Sequence, residues 1–218
     1  MEVEADRDVT HSPAMPKVER FPFLNEFYPD EWFARLKRED LFPGPESIEL
    51  DLGCGDGSFL IRLAGNYPER RFLGVERLLG RVRKVSRKSV RAELSNVKVL
   101  RADSNYAVNH LLPLGFADRI HFLCPDPWPK KKHAARRQMC QLPFLHALHE
   151  LLREDGELLF LTDDLPYFEE ALAVQESCDR FERLSWEEGE FFYPKTDFEE
   201  QWLAEGRTMN RLRLRKVS

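Results

Sequence analysis

From Ser47 onward, short apolar runs alternate with amphipathic stretches. The runs Ile48–Leu52, Arg71–Glu76, 97–102, 119–124 and 157–162 have the length and apolar density of strands buried on both faces. The stretches between them, Ser58–Asn66, 78–92, 104–112 and 143–153, carry helical spacing, and 166–176 repeats it after the fifth strand. Pro143 falls in a first turn, where its missing N–H costs nothing. Over 78–92, Leu78, Val82, Val85 and Ser89 share one face and cations occupy most of the other. Two more strands are expected at 181–186 and 209–217. Strands alternating with helices predict an α/β domain: a mostly parallel seven-stranded sheet with helices on both faces. Before it, residues 1–20 are polar and hold Pro13 and Pro16, which predicts disorder, and the aromatic stretch 21–32 is expected to pack as an arm. The chain therefore divides into a partly disordered N-terminal arm, 1–45, and one domain, 46–218.

In such sheets ligands bind outside the carboxyl ends of the strands. An acid follows each of five successive strands here: Asp51, Glu76, Asp103, Asp126 and Asp163. The first lies in Asp51-Leu52-Gly53-Cys54-Gly55-Asp56-Gly57, a G-x-G-x-G turn between strand and helix. A dinucleotide fingerprint needs a glycine where Ser58 stands, and the phosphate-loop Gly-Lys-Ser/Thr is absent. An acid ahead of the glycines suits a ligand with an amine rather than a pyrophosphate. Glu76 is placed to accept from two ribose hydroxyls, and Asp103 from an adenine amino group. A glycine turn flanked by helix-capping acids is the plainer alternative.

The fourth strand ends in Pro125-Asp126-Pro127-Trp128-Pro129-Lys130-Lys131-Lys132. Prolines without N–H groups end the ladder and stiffen the exit. The exit carries a carboxylate, an indole and a cation block, a combination suited to a nucleobase within a nucleic acid. Asp126 also has a turn-capping reading. Trp128 either stacks on a base or belongs to the core. The net charge of −5 argues weakly against a nucleic-acid partner, but its distribution argues for one. Arg77 to Arg91 holds seven cations and no acid, and Lys130 to Arg137 five more with His133. A phosphate feels charge within about 10 Å, so local patches outweigh the total. The four cysteines form no C-x-x-C pair and the histidines no ligand pattern, so no metal is expected and the thiols read as reduced. The acidic N-terminus is unlike a leader, and no apolar run is long enough for a membrane span, so a cytoplasmic protein is expected.

The motif Asp51–Gly57 is similar to motif I of class I methyltransferases. Asp126 with its prolines, Trp128, Lys130, His133, Arg136 and Arg137 resembles the signature of the tRNA (guanine-N7-)-methyltransferases. Thr162-Asp163 and Thr196-Asp197-Phe198-Glu199 match that family in order, over about residues 45–216. The resemblance implies a Rossmann-like class I methyltransferase fold, S-adenosyl-L-methionine as cofactor, and methylation of guanine N7 in the tRNA variable loop. It implies cofactor contacts at Asp51, Gly53, Gly55, Glu76, Asp103 and Asp126, with Asp126 also catalytic. It implies substrate contacts at Lys130, Asp163, Thr196, Asp197, Phe198 and Glu199. Ala134 and Ala135 depart from the family's usual polar or basic residues. On spacing alone, Thr196 to Glu199 is a capping box opening a short helix. The expected partner is tRNA, with the enzyme a monomer or homodimer and no partner subunit evident. Methyl transfer to a protein or small molecule, a nicotinamide-dependent oxidoreductase and a non-catalytic RNA-binding protein are the competing classes.

Overall fold

The computed structural model describes residues 25–187 and 189–217. The predicted disorder of 1–20 and the start of the aromatic arm lie outside these. The elements run β1 (Glu26–Phe27), α1 (Arg38–Leu41), β2 (Ile48–Leu52), α2 (Ser58–Asn66), β3 (Arg71–Glu76), α3 (Leu79–Arg91) and β4 (Val97–Arg101). They continue with α4 (Ser104–Tyr106), β5 (Ala117–Leu123), α5 (Leu142–Leu151), β6 (Leu152–Thr162), α6 (Leu165–Glu176), β7 (Phe181–Leu184), α7 (Asp197–Ala204) and β8 (Asn210–Lys216).

One sheet holds all eight strands in the order β1-β4-β3-β2-β5-β6-β8-β7. Pairing is parallel from β1 to β6 and antiparallel around β8. The chain enters at β2, winds out to β4, and returns to the other side of β2 with β5. That reversal is the switch point of a doubly wound sheet. Registry holds across it, since Asp51 is opposite Gly74 on one side and His121 on the other.

Strand alternation divides the core between two layers. Ile48, Leu50 and Leu52 point into the larger cluster, with Leu73, Val75, Ile120, Phe144 and Tyr167. Phe72, Val97 and Val99 point the other way, against Phe59, Leu60 and Leu63 of α2 and Val82 and Val85 of α3. Glu49 and Asp51 occupy the alternate β2 positions and are buried as well. Glu49 is made tolerable by His121 Nε2 at 2.7 Å and Arg70 Nη1 at 2.7 Å. Burial alone would raise its pKa, but these partners and Arg119 hold it down at about 2.

Departures from expectation have local causes. The eighth strand, β1, is two residues long, too short for a periodic signal, and lies parallel beside β4. The segment after it is anchored: Leu41 and Phe42 lie in the main cluster, and Leu36 N donates to Leu111 O at 2.8 Å. The helix expected over 104–112 widens into a π-turn at Ala107–Leu111, where Leu112 N reaches back five residues to Ala107 O. β6 begins at Leu152, because the polar 153–156 run is a bulged part of the strand, with Asp155 at φ 60. Leu78 is 45% exposed rather than on the buried face of α3, since it is the residue before that helix.

Gly74 lets the loop after β2 lie against the sheet. A Cβ there would meet Cys54 Sγ at 2.7 Å and Leu60 Cδ2 at 2.8 Å. Gly74→Ala is expected to cost about 1–3 kcal/mol by overpacking. Urea denaturation measures it, and an unchanged midpoint would show that the loop yields without cost.

Candidate active site

The carboxyl ends of β2, β3, β4, β5 and β6 lie along one edge, and each of the five predicted strand-end acids is found there. Their environments differ. Asp51 is 4% exposed and makes no side-chain hydrogen bond among the described residues. Burial, with Glu76 adding repulsion, pushes its pKa up to about 8. Glu76 is also buried, with Oε1 accepting from Leu78 N at 2.7 Å and Oε2 3.7 Å from Arg81 Nη1. Asp103 is exposed and caps α4, accepting from Asn105 N and Tyr106 N at 3.0 and 3.2 Å.

The glycine loop joins these acids. Gly53, Gly55 and Gly57 have φ of 76°, 58° and 81°, a region that favours glycine. Gly53 N and Cys54 N donate to Val75 O at 2.8 and 3.1 Å, which binds the turn to β3. A Cβ built on Gly53 meets nothing within 4 Å, so this backbone faces open space. A buried, unpartnered carboxylate, a ribose-height acid and an open glycine cradle fit a ligand with a cationic amine and a nucleoside. The thiols of Cys54 and Cys124 are raised by burial, Cys124 to about 12, so neither is a thiolate nucleophile.

Asp126 is exposed, with no hydrogen bond or ion pair among the described residues. Its loop is bracketed by two non-glycine residues in the left-handed region, Cys124 at φ 48° and Trp128 at φ 43°. Each such residue costs about 1–2 kcal/mol, so the surroundings must enforce it. Cys124 N still donates to Leu161 O at 2.8 Å, extending the β5–β6 ladder. Trp128 is half-buried, its ring under the Arg136 guanidinium at 4.6 Å and 5.8 Å from the His133 ring. Lys130 is exposed, and its carbonyl accepts from His133 N at the start of a 3₁₀ segment, Lys131–Arg136.

The C-terminal motif comes to the same edge. Thr196 caps α7, its Oγ1 accepting from Glu199 N at 3.0 Å and lying 3.9 Å from Cys124 Sγ. Asp197 accepts from Ser58 Oγ at 2.7 Å, and Lys88 Nζ donates to that hydroxyl at 2.7 Å and to Asp56 at 2.8 Å. Phe198 is 48% exposed and lies over Trp202 at 6.2 Å. Glu199 is fully buried, taking Tyr193 Oη at 3.0 Å and Arg211 Nη2 at 2.8 Å. So Asp197 and Phe198 remain accessible, whereas Glu199 anchors the helix from inside. Asp163 Oδ2 accepts from Arg207 Nη1 at 2.8 Å, and that guanidinium lies 3.9 Å over Trp202. Trp202 and Arg207 were absent from the sequence reading, because the ion pair that brings Arg207 to Asp163 spans 44 residues and leaves no local pattern. Among the described residues no cluster could hold a metal ion, and no helix is long and apolar enough to cross a membrane.

Solved structures share this architecture. The antibiotic-resistance methyltransferase Kmr superposes with TM-score 0.58 at 24% identity, over 85% of this chain and 95% of that one. The 16S rRNA (adenine(1408)-N(1))-methyltransferase of Catenulisporales acidiphilia, in a mutant form, does so with TM-score 0.58 at 16% identity, over 84% and 92%. The fold is thus that of the class I methyltransferases. A family model described as "Putative methyltransferase" matches residues 45–212. The tRNA (guanine-N(7)-)-methyltransferase of Rubrobacter xylanophilus is 32% identical over 89% of this chain and 88% of its own length. That of Thermotoga maritima is 30% identical over 87% of this chain. The chain belongs to the tRNA (guanine-N(7)-)-methyltransferase family. It spans about three fifths of the length of the relatives from Thermotoga maritima (58%) and Chlorobium phaeobacteroides (59%).

Burial of Asp51 has a pH signature. Below its ordinary value of 3.8, Asp51 is protonated both folded and unfolded. Between 3.8 and about 8 the folded chain holds a proton that the unfolded chain lacks, so stability falls as pH rises through this window. Asp51→Asn removes that slope. Its urea midpoint is expected to gain on the parent's from pH 5 to pH 9, and parallel profiles would contradict the buried carboxyl.

Proposed function

We propose that this protein transfers a methyl group from S-adenosyl-L-methionine to N7 of a guanine in the variable loop of tRNA. The observation that carries this reading is Asp126: a carboxylate without a partner among the described residues, presented on a constrained loop between the glycine cradle and a block of cations. Family membership supplies the substrate class. Bound in the cradle, the cofactor supplies an electrophilic methyl on a sulfonium.

In this reading Asp51 and the open backbone of the Gly53–Gly55 turn hold the methionine end. Glu76 takes the ribose hydroxyls, and Asp103 takes the adenine. Asp51 binds its ligand as the anion, so it releases a proton as the amine docks. Guanine N7 carries a lone pair and needs no deprotonation, so no general base is required. N7 would take the methyl from the cofactor held there, whose sulfur would keep the bonding pair, so the guanine would take on the positive charge. Asp126 accepts from a guanine N–H and lies against that developing charge. The protein's main task is alignment of N7, methyl and sulfur. Lys130, Asp163, Thr196, Asp197 and Phe198 form the RNA side of the site, with Glu199 bracing the helix that carries the last three. Trp128, with one face under Arg136, walls the base pocket. The protein acts in the cytoplasm, as monomer or homodimer, without another subunit.

Asp126→Ala is expected to lower kcat for 7-methylguanosine formation by about 100-fold or more. Its thermal midpoint should match the parent's, because among the described residues the side chain has no hydrogen bond or ion pair to lose. Near-normal turnover would remove Asp126 from the chemistry.

The outer face of α3 supports RNA binding. Lys84, Arg87 and Arg91 are exposed along one stripe and have no ion pair among the described residues. Lys88, by contrast, is engaged by Asp56. Arg87→Ala with Arg91→Ala is expected to weaken tRNA binding and to reduce the slope of log affinity against log salt by about 1 to 2. An unchanged slope would make this stripe an ordinary solvated face.

A further inference from the structure

Since Asp126 has no side-chain partner among the described residues, backbone alone sets where its carboxylate lies. That backbone is held from one side by Arg137, which is only 6% exposed. Its Nε donates to the Pro127 carbonyl at 2.7 Å. Nη1 donates to Glu170 Oε1 at 2.8 Å, and Nη2 lies 3.9 Å from Asp164 Oδ1. The guanidinium is 5.6 Å from the centre of the Tyr167 ring. These last three residues belong to α6 or cap it, Asp164 accepting from Tyr167 N at 2.8 Å.

The Pro127 carbonyl belongs to the peptide that leads into Trp128, the residue held at φ 43°. Fixing that oxygen fixes the plane between the carboxylate and the indole. Arg137 also joins this loop to the β6–α6 turn, where Asp163 adjoins Asp164. A guanidinium can serve this carbonyl and two carboxylates at once through a rigid planar fork, which a lysine ammonium lacks. Arg136 has a different place, exposed and stacked on Trp128.

We propose that Arg137 is a positioning residue for methyl transfer: it locks the Asp126–Trp128 loop to α6 and thereby fixes the Asp126 carboxylate against the base. The proposal rests on the role given to Asp126 above.

The test is steady-state methylation of unmodified tRNA by Arg137→Lys and Glu170→Gln, each alone and combined with Asp126→Ala. Arg137→Lys is expected to lower kcat about 10- to 100-fold. KM for tRNA should stay within about twofold, because a buried side chain does not reach the RNA. In the Asp126→Ala background the same change should cost less than about twofold more, since both act through one group. Parental kcat in Arg137→Lys, or losses that multiply with Asp126→Ala, would overturn the proposal. If Arg137→Lys fails to show a cooperative unfolding transition, Glu170→Gln decides. Glu170 is half exposed, and its variant should fold, lose kcat severalfold, and lose nothing further without Asp126. No loss, or a multiplied one, overturns the proposal. Normal turnover by Asp126→Ala alone would sink the assignment of Asp126 itself, a result distinct from a multiplied loss.

Discussion

The functional edge depends on the in-register parallel pairing of β2 with β3 on one side and β5 on the other. Parallel pairing makes neighbouring strands end on the same side, so the residues that follow them meet. Reversal of strand order at β2 then opens a crevice, because the loops after β2 and β5 lead to opposite faces of the sheet. The acids at the carboxyl ends of β2, β3, β4, β5 and β6 gather for this reason, though they are spread from Asp51 to Asp163 along the chain. The two apolar layers that hold the sheet are in this sense what holds the site.

Two features of this edge work against folding. Asp51 is a largely buried carboxyl without a hydrogen bond among the described residues, and Cys124 and Trp128 adopt backbone angles that cost non-glycine residues energy. Both are concentrated where a ligand would be bound and neither helps the core. The surroundings that enforce them are rigid: the β3 ladder behind the glycine turn, and the last β5–β6 hydrogen bond at Cys124. Rigid surroundings of this kind suit the proposed methyl transfer, whose main demand is a straight line of three atoms.

Most of the framework was legible in the sequence because the signals are local. Apolar runs marked the central strands, and proline and glycine marked where they stop. The strand-end acids stood out by position alone. Features that failed to show were those without a local pattern. β1 has two residues and no period, and the π-turn differs from a helix only in where Leu112 N finds its acceptor. The 153–156 run reads as a turn from its polarity, yet pairing with β5 draws it into β6. At the site, Asp197 and Glu199 look alike in sequence, two acids in one short motif. Folding sends one to Ser58 at the surface and the other to Arg211 and Tyr193 in the interior.

Asp51 and Asp126 show how one residue type is given two environments by its surroundings. Asp51 lies within the sheet, where burial suppresses its ionisation, so the proposed docking of a cationic amine would couple binding to charge there. Asp126 lies in solvent, so in the proposed reading its effect on a neighbouring base is one of place. The difference follows from the exits of their strands. After β2 the glycines let the chain fold back against β3 and cover the carboxyl. After β5 the prolines forbid that return, and the chain projects outward. For a residue projected this far to act as proposed, something distant must hold its backbone, and among the described residues the buried guanidinium of Arg137 reaches it at the Pro127 carbonyl.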